Sequence, residues 1–255
     1  MSFKSKLLGG AAALALVGGV GTAGALSASA ATPSCGNSCI NVFSRDFGTH
    51  RSPNFVMDVF RQGARVGQPI ILFRTSNFDP AQDFTVSFQG TTSEFFAAGL
   101  VSAAVNLHYG GGAPSQCIGD PTGASCDDPA FEYEYAPFGV DSGLCVGVAT
   151  TAIRGEGVTL QPCGVSSKTV WIWDVGNNAD DPAALARGYF PVINGSDTNF
   201  SHPFVLTYPA NGFPTDRPRP QIHVSNLTGF SNGFGPIVGT VNSNQLWGFR
   251  FGVLH

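Results

Sequence analysis

The sequence is short of charge. Asp, Glu, Lys and Arg make up 12% of its 255 residues, about half of the roughly 25% usual for globular domains. Lysine is rarer still: beyond residue 30 only Lys168 remains. With a formal net charge of −4 and no cluster of Lys and Arg, the chain lacks the electrostatic footprint of a nucleic-acid binder. Glutamate is limited to Glu94, Glu132, Glu134 and Glu156. There is no G-x-S-x-G nucleophile elbow. His50, His108, His202, His223 and His255 lie in no H-x-x-x-H or H-E-x-x-H spacing, and no C-x-x-C pair is present. The D-x-D-x-D-G calcium loop is missing as well. The sequence therefore nominates no catalytic residue, no metal ligand and no cofactor, and the expectation is a protein that is not an enzyme. Glu132 and Glu134, two apart in FEYEY, would share one face of a strand. A carboxylate pair can serve glycoside hydrolysis, but an exposed strand face is the expected setting. Long helical patterns are also lacking. Residues 94–105 read as a short helix or a buried strand, and 182–187 as a single turn.

What is present points outward from the cell. Lys4 and Lys6 precede an apolar run from Leu7 to about Gly21, and Ala28-Ser29-Ala30 is a small-residue cleavage signal. This is the pattern of a secretory signal peptide over residues 1–30, and no later stretch reaches the 18 apolar residues of a membrane span. Its removal lowers Lys plus Arg from 13 to 11 against 17 acids, so the formal charge moves from −4 to −6. Cys35, Cys39, Cys117, Cys126, Cys145 and Cys163 all follow the signal, and an even count in an oxidising compartment reads as three disulfides. Six cysteines allow 15 connectivities. Pairing of sequence neighbours gives Cys35–Cys39, Cys117–Cys126 and Cys145–Cys163, the last worth about 3 kcal/mol by loop entropy.

The 21 Phe, 33 Gly and 17 Pro are spread through short apolar or alternating runs. These include Asn54–Phe60, Pro69–Phe73, Phe84–Phe88, Phe131–Tyr135, Val158–Leu160, Val170–Trp173, Phe204–Tyr208 and Gln221–Val224. Short strands separated by turn residues indicate an all-β sandwich or barrel. Three stretches also repeat one pattern: strand, Gly or Pro turn, strand, gap, then Gln or Thr two before an aromatic. They run Asn54–Phe84, Gly143–Trp171 and Pro203–Trp247. The Gly-rich stretches 110–112 and 229–239 read as loops.

These stretches resemble the repeats of ricin-type β-trefoil lectins, over about 105 of the 225 residues that follow the signal. In lobe one Val56-Met57-Asp58-Val59, Ile71-Leu72-Phe73 and Gln82-Asp83-Phe84 stand for the three family elements. Lobe two reads Cys145-Val146-Gly147-Val148, Thr159-Leu160-Gln161-Pro162-Cys163 and Thr169-Val170-Trp171, with its cysteines where the family has an intralobe disulfide. Lobe three keeps Asn244-Gln245-Leu246-Trp247. The closing aromatics Phe84, Trp171 and Trp247 are 87 and 76 residues apart, so insertions at 89–137 and 174–202 are required. The expected fold is one enlarged, three-lobed β-trefoil over residues 31–255, with a β-sandwich as the alternative.

The resemblance implies a carbohydrate site: a carboxylate for adjacent hydroxyls, an aromatic platform and an amide. Lobe one offers Asp58, Phe73 and Gln82, weakened by Ile71 and Ala81. Lobe two is silent, with Gly147 and Gln161 at the carboxylate and platform positions. Lobe three offers Asn244 and Gln245, with Thr207 at the carboxylate position and His223 near the platform. The expected partner is a neutral glycan or cell-wall polysaccharide, bound by a secreted monomer with little dependence on salt. The alternative is a secreted protein partner, as for a protease-inhibitor-like trefoil.

Overall fold

Alternation of apolar and polar residues sets the strands, and Gly, Pro and Asn break them. The computed structural model describes residues 39–49, 52–76, 79–111, 127–175, 188–209, 219–228 and 241–251. The expected signal segment 1–30, the expected turn at 182–187 and the Gly-rich stretch 229–239 lie outside the described residues. The main strands are β1 (Ile40–Ser44), β2 (Phe55–Val59), β3 (Ile70–Arg74), β4 (Phe84–Thr91), β5 (Pro129–Tyr135), β6 (Leu144–Gly147), β7 (Thr159–Pro162), β8 (Trp171–Trp173), β9 (Val192–Asn194), β10 (Phe204–Thr207), β11 (His223–Asn226) and β12 (Trp247–Phe251). The fold is all-β, and the strands divide into three groups of four.

The first and last strand of each group build a barrel. β1 pairs with β12 and β4, β4 with β5, β5 with β8 and β8 with β9, all antiparallel. A bridge between Phe190, just before β9, and Trp247 in β12 closes the ring. Closure removes exposed strand edges. The middle strands of each group form hairpins: β2–β3, β6–β7 and β10–β11. These hairpins meet in a cyclic backbone triangle. Ile70 N–H donates to Val158 O (3.0 Å), Val158 N–H to Ile222 O (2.8 Å) and Ile222 N–H to Ile70 O (2.9 Å). A six-stranded barrel capped by three hairpins joined in this way is a β-trefoil.

The closing aromatics fill the core, as burial of large rings favours. Phe84, Trp171 and Trp247 are each at most 1% exposed and share one apolar cluster with Ile70, Val158 and Ile222. Trp171 Nε1–H donates to Val146 O (2.8 Å) and Trp247 Nε1–H to Leu206 O (2.7 Å). Each indole therefore ties its closing strand to its own lobe's hairpin. Phe84 fills the matching position in lobe one without such a bond.

The insertions are narrower than the sequence implies. The expected 89–137 insertion contains the end of β4 and all of β5, which are barrel strands, and 174–202 contains β9. Alternating residues that pair with barrel neighbours carry no sequence mark separating them from an insertion. Residues 94–105 form parts of two helices rather than one, α1 (Thr92–Ala97) and α2 (Ala103–Tyr109). Thr91 and Glu94 make a reciprocal capping box at the start of α1. Gly99, at φ +76°, turns the chain, and Ser102 then caps α2 by accepting from Val105 N–H. Phe95, Val105 and Tyr109 hold the pair in a second apolar cluster with Ile172 and Ile193.

The Cys145–Cys163 disulfide forms across the β6–β7 hairpin. Cys39 is also disulfide-bonded, while Cys35, Cys117 and Cys126 lie outside the described residues. Glu132 and Glu134 are not on an exposed face: they are 2% and 7% exposed. Glu134 accepts from Gly143 N–H (2.6 Å), and Glu132 from Gly164 N–H (3.0 Å) and the Thr169 hydroxyl. Both carboxylates are taken up in fixing the lobe-two loops on either side of the disulfide.

Candidate functional site

Each lobe brings its strand residue and its closing turn together by the same route. A 3-10 turn precedes each closing aromatic: Pro80–Gln82, Ser167–Thr169 and Ser243–Gln245. The last residue of each turn faces the residue near the end of the first hairpin strand. Gln82 meets Asp58, Thr169 meets Gly147, and Gln245 meets Thr207. The three lobes differ in the side chains at these positions and in how closely the turn approaches the strand.

In lobe one, Gln82 Nε2 donates to Asp58 Oδ2 (3.2 Å) and to Arg74 O (2.7 Å), and its Oε1 accepts from Ser76 N–H (2.9 Å). Asp58 is buried, and burial pushes its carboxyl from 3.8 up to about 7, against the hydrogen bond from Gln82. Phe73 is half-buried, but its ring is covered: the Arg219 guanidinium carbon sits 3.8 Å from the ring centroid. A cation over an aromatic face is held by the ring quadrupole. Asp58, Phe73 and Gln82 are thus brought together, with the Arg219 guanidinium over the face of Phe73.

Lobe two has no room. A side-chain carbon at Gly147 would lie 2.8 Å from Lys168 O and 2.9 Å from the Thr169 methyl. The turn packs directly onto the strand, and glycine is what permits that approach.

Lobe three is open. A cleft of about 720 Å³ is lined by Arg154, His202, Thr207, His223, Ser225 and Asn244, among others, within the size range of small-ligand sites. Gln245, 2% exposed, works beneath it. Its Nε2 donates to Asn226 O (2.8 Å) and Thr207 Oγ1 (3.3 Å), and its Oε1 accepts from Thr228 N–H (2.8 Å) and Oγ1 (2.9 Å). All four hydrogen-bonding positions of the amide are used within the protein. Asn244, which also lines the cleft, donates from Nδ2 to Tyr208 O (2.5 Å). Burial lowers the His223 pKa from the ordinary imidazole value, against a backbone hydrogen bond at Gln221 that raises it.

Arg154 comes from lobe two. Ile153 O accepts from Glu156 N–H (3.1 Å) across a turn with Gly155 at φ +86°, a conformation that glycine adopts without strain. Gly155 N–H donates to Val224 O (2.8 Å) and Val224 N–H to Glu156 O (2.9 Å), which clamps this turn onto β11. The lobe-one turn reaches lobe two in the same way, with Gly67 N–H donating to Leu160 O (2.8 Å). Arg219, three residues before Ile222 as Gly155 is before Val158, arrives in lobe one from lobe three. Sequence reasoning missed both arginines as site residues. The only signal was the Arg217-Pro218-Arg219-Pro220 stretch, which reads as a contact loop or a linker.

No protein-family model and no curated protein matches the sequence. Among solved structures, the designed threefold-symmetric protein ThreeFoil is 12% identical, with 83% of this chain and 97% of that one covered at a TM-score of 0.45. The Rhizoctonia solani agglutinin is 15% identical, with 84% and 95% covered at 0.43. The exo-beta-1,3-galactanase 1,3Gal43A of Clostridium thermocellum is 10% identical, with 84% of this chain and 30% of that one covered at 0.47. The trefoil assignment stands on this chain's own barrel and hairpin triangle.

Proposed function

We propose that this chain is a secreted, monomeric carbohydrate-binding protein, and that its working site is in lobe three. The observation that carries this reading is the lobe-three cleft. Its walls present hydroxyl, amide and imidazole groups from Ser225, Asn244 and His223. Polar groups fixed in position, rather than large apolar surface, are what recognition of sugar hydroxyls requires. Gln245 acts as a positioning residue, since its amide holds Thr207, Asn226 and Thr228 in place. Lobe one keeps the carboxylate and amide of a sugar site, but Arg219 occupies its platform.

The sequence supports the export part of this reading, through the pattern of residues 1–30. The test is a glycan array probed with residues 31–255, disulfides intact, followed by amide chemical-shift mapping of any hit. Shifts at residues 223–228 and 242–245 support a lobe-three site. Shifts confined to residues around Asp58 and Gln82 return the site to lobe one. A blank array from folded protein refutes carbohydrate binding and favours a protein partner.

A further inference from the structure

The threefold arrangement gives each lobe a residue from its neighbour. The hairpin turn of lobe one lies on lobe two, that of lobe two on lobe three, and Arg219 from lobe three lies on lobe one. What arrives differs: Val66, 57% exposed, in the turn over lobe two; Arg154 at the lobe-three cleft; Arg219 over Phe73 in lobe one. In lobe three the incoming residue, Arg154, borders an open cleft.

The chemistry of that cleft is one-sided. Its charged and titratable lining groups are Arg154, His202 and His223, and none of the described residues lining it is a carboxylate. Thr207 stands where lobe one has Asp58, so this position carries a hydroxyl in place of a carboxylate that would repel an anion. Arg154 is exposed and makes no ion pair among the described residues. A guanidinium presents a planar fork of donors that matches a carboxylate with two parallel hydrogen bonds. The rest of the protein sets an upper limit on the charge it accepts. With a formal charge of −6 after removal of residues 1–30, the molecule disfavours polyanions, and one arginine balances one negative charge.

We infer that the lobe-three cleft binds an acidic sugar carrying a single carboxylate. Arg154, supplied by the lobe-two hairpin, pairs with the carboxylate, and Ser225 and Asn244 meet the hydroxyls. This rests on the carbohydrate reading above and reverses the expectation of a neutral, salt-insensitive ligand.

The experiment is calorimetric titration of residues 31–255 with matched sugar pairs, glucuronate against glucose and galacturonate against galactose, plus galactose 6-sulfate. The acidic member of a pair should bind at least about tenfold more tightly, about 1.4 kcal/mol, and its advantage should shrink as salt rises. Arg154→Ala should remove that advantage, so that the acidic and neutral members of a pair bind alike. Arg154 is exposed, so the variant should fold, and Val66→Ala in the equivalent turn should leave the preference intact. Equal binding of acidic and neutral sugars, or a preference that survives Arg154→Ala, overturns the inference while the carbohydrate reading stands. Tighter binding of the sulfate than of the carboxylates overturns the carboxylate assignment. Failure of every sugar to bind folded protein defeats the inference and the carbohydrate reading together.

Discussion

Replacing Asp58 with asparagine should stabilise the protein at neutral pH and flatten its stability between about pH 4 and 7. The carboxyl is 4% exposed. Burial raises its pKa from 3.8 to about 7, with Asp79 adding to the rise and Gln82 and Arg219 opposing it. Between those values the native state holds a proton that the unfolded chain has lost. The stability that this proton supports is complete below about pH 4 and is lost as pH rises through about 7. At about 1.4 kcal/mol per pH unit, the loss reaches about 4 kcal/mol by pH 8. Asparagine carries no charge to desolvate, and its Oδ1 still accepts from Gln82 Nε2. Asp58→Asn should therefore match the parent near pH 4 and exceed it by about 4 kcal/mol at pH 8, about 10 °C in Tm for a domain of this size. The assay is urea unfolding followed by tryptophan fluorescence across pH 4–8 with disulfides intact. Parallel stability curves for the two proteins would refute the reasoning, because they would show that Asp58 titrates alike in both states.

Two further substitutions test the lobes themselves. Trp247→Phe puts the lobe-one solution into lobe three. The ring should fit, as Phe84 does, but Leu206 O loses its 2.7 Å donor, and the cost should be about 1–3 kcal/mol in chemical denaturation; a neutral result would show that the indole bond is dispensable. Gly147→Ala drives a methyl into Lys168 O at 2.8 Å and should cost about 1–3 kcal/mol. Unchanged stability would mean that the lobe-two turn can lift away, so that a cleft there is reachable.

The lobe pattern was legible because each closing aromatic carries its partner two residues before it. The Gln or Thr that ends the 3-10 turn and the ring that fills the core are neighbours in sequence. That local spacing located Phe84, Trp171 and Trp247; the Cys145–Cys163 pair came from pairing sequence neighbours, and the matching of Asp58 with Gln82 and of Thr207 with Gln245 from the resemblance to ricin-type repeats. The spacing did not separate a barrel strand from an insertion, since β5 and β9 alternate as any strand does. Nor did it show that Glu132 and Glu134 are buried, because their partners, Gly143, Gly164 and Thr169, belong to loops that only folding brings near.

The sequence by itself determined a low-charge all-β chain and three repeated lobes, because these depend on composition and short-range period. Tertiary structure alone decided which lobe is open. Gly147 lets the lobe-two turn close on its strand, and Arg219 crosses from lobe three to cover Phe73. Arg154 crosses from lobe two and stands beside an uncovered cleft. Each outcome is set by a side chain from elsewhere in the chain, brought across a lobe boundary by the hairpin triangle.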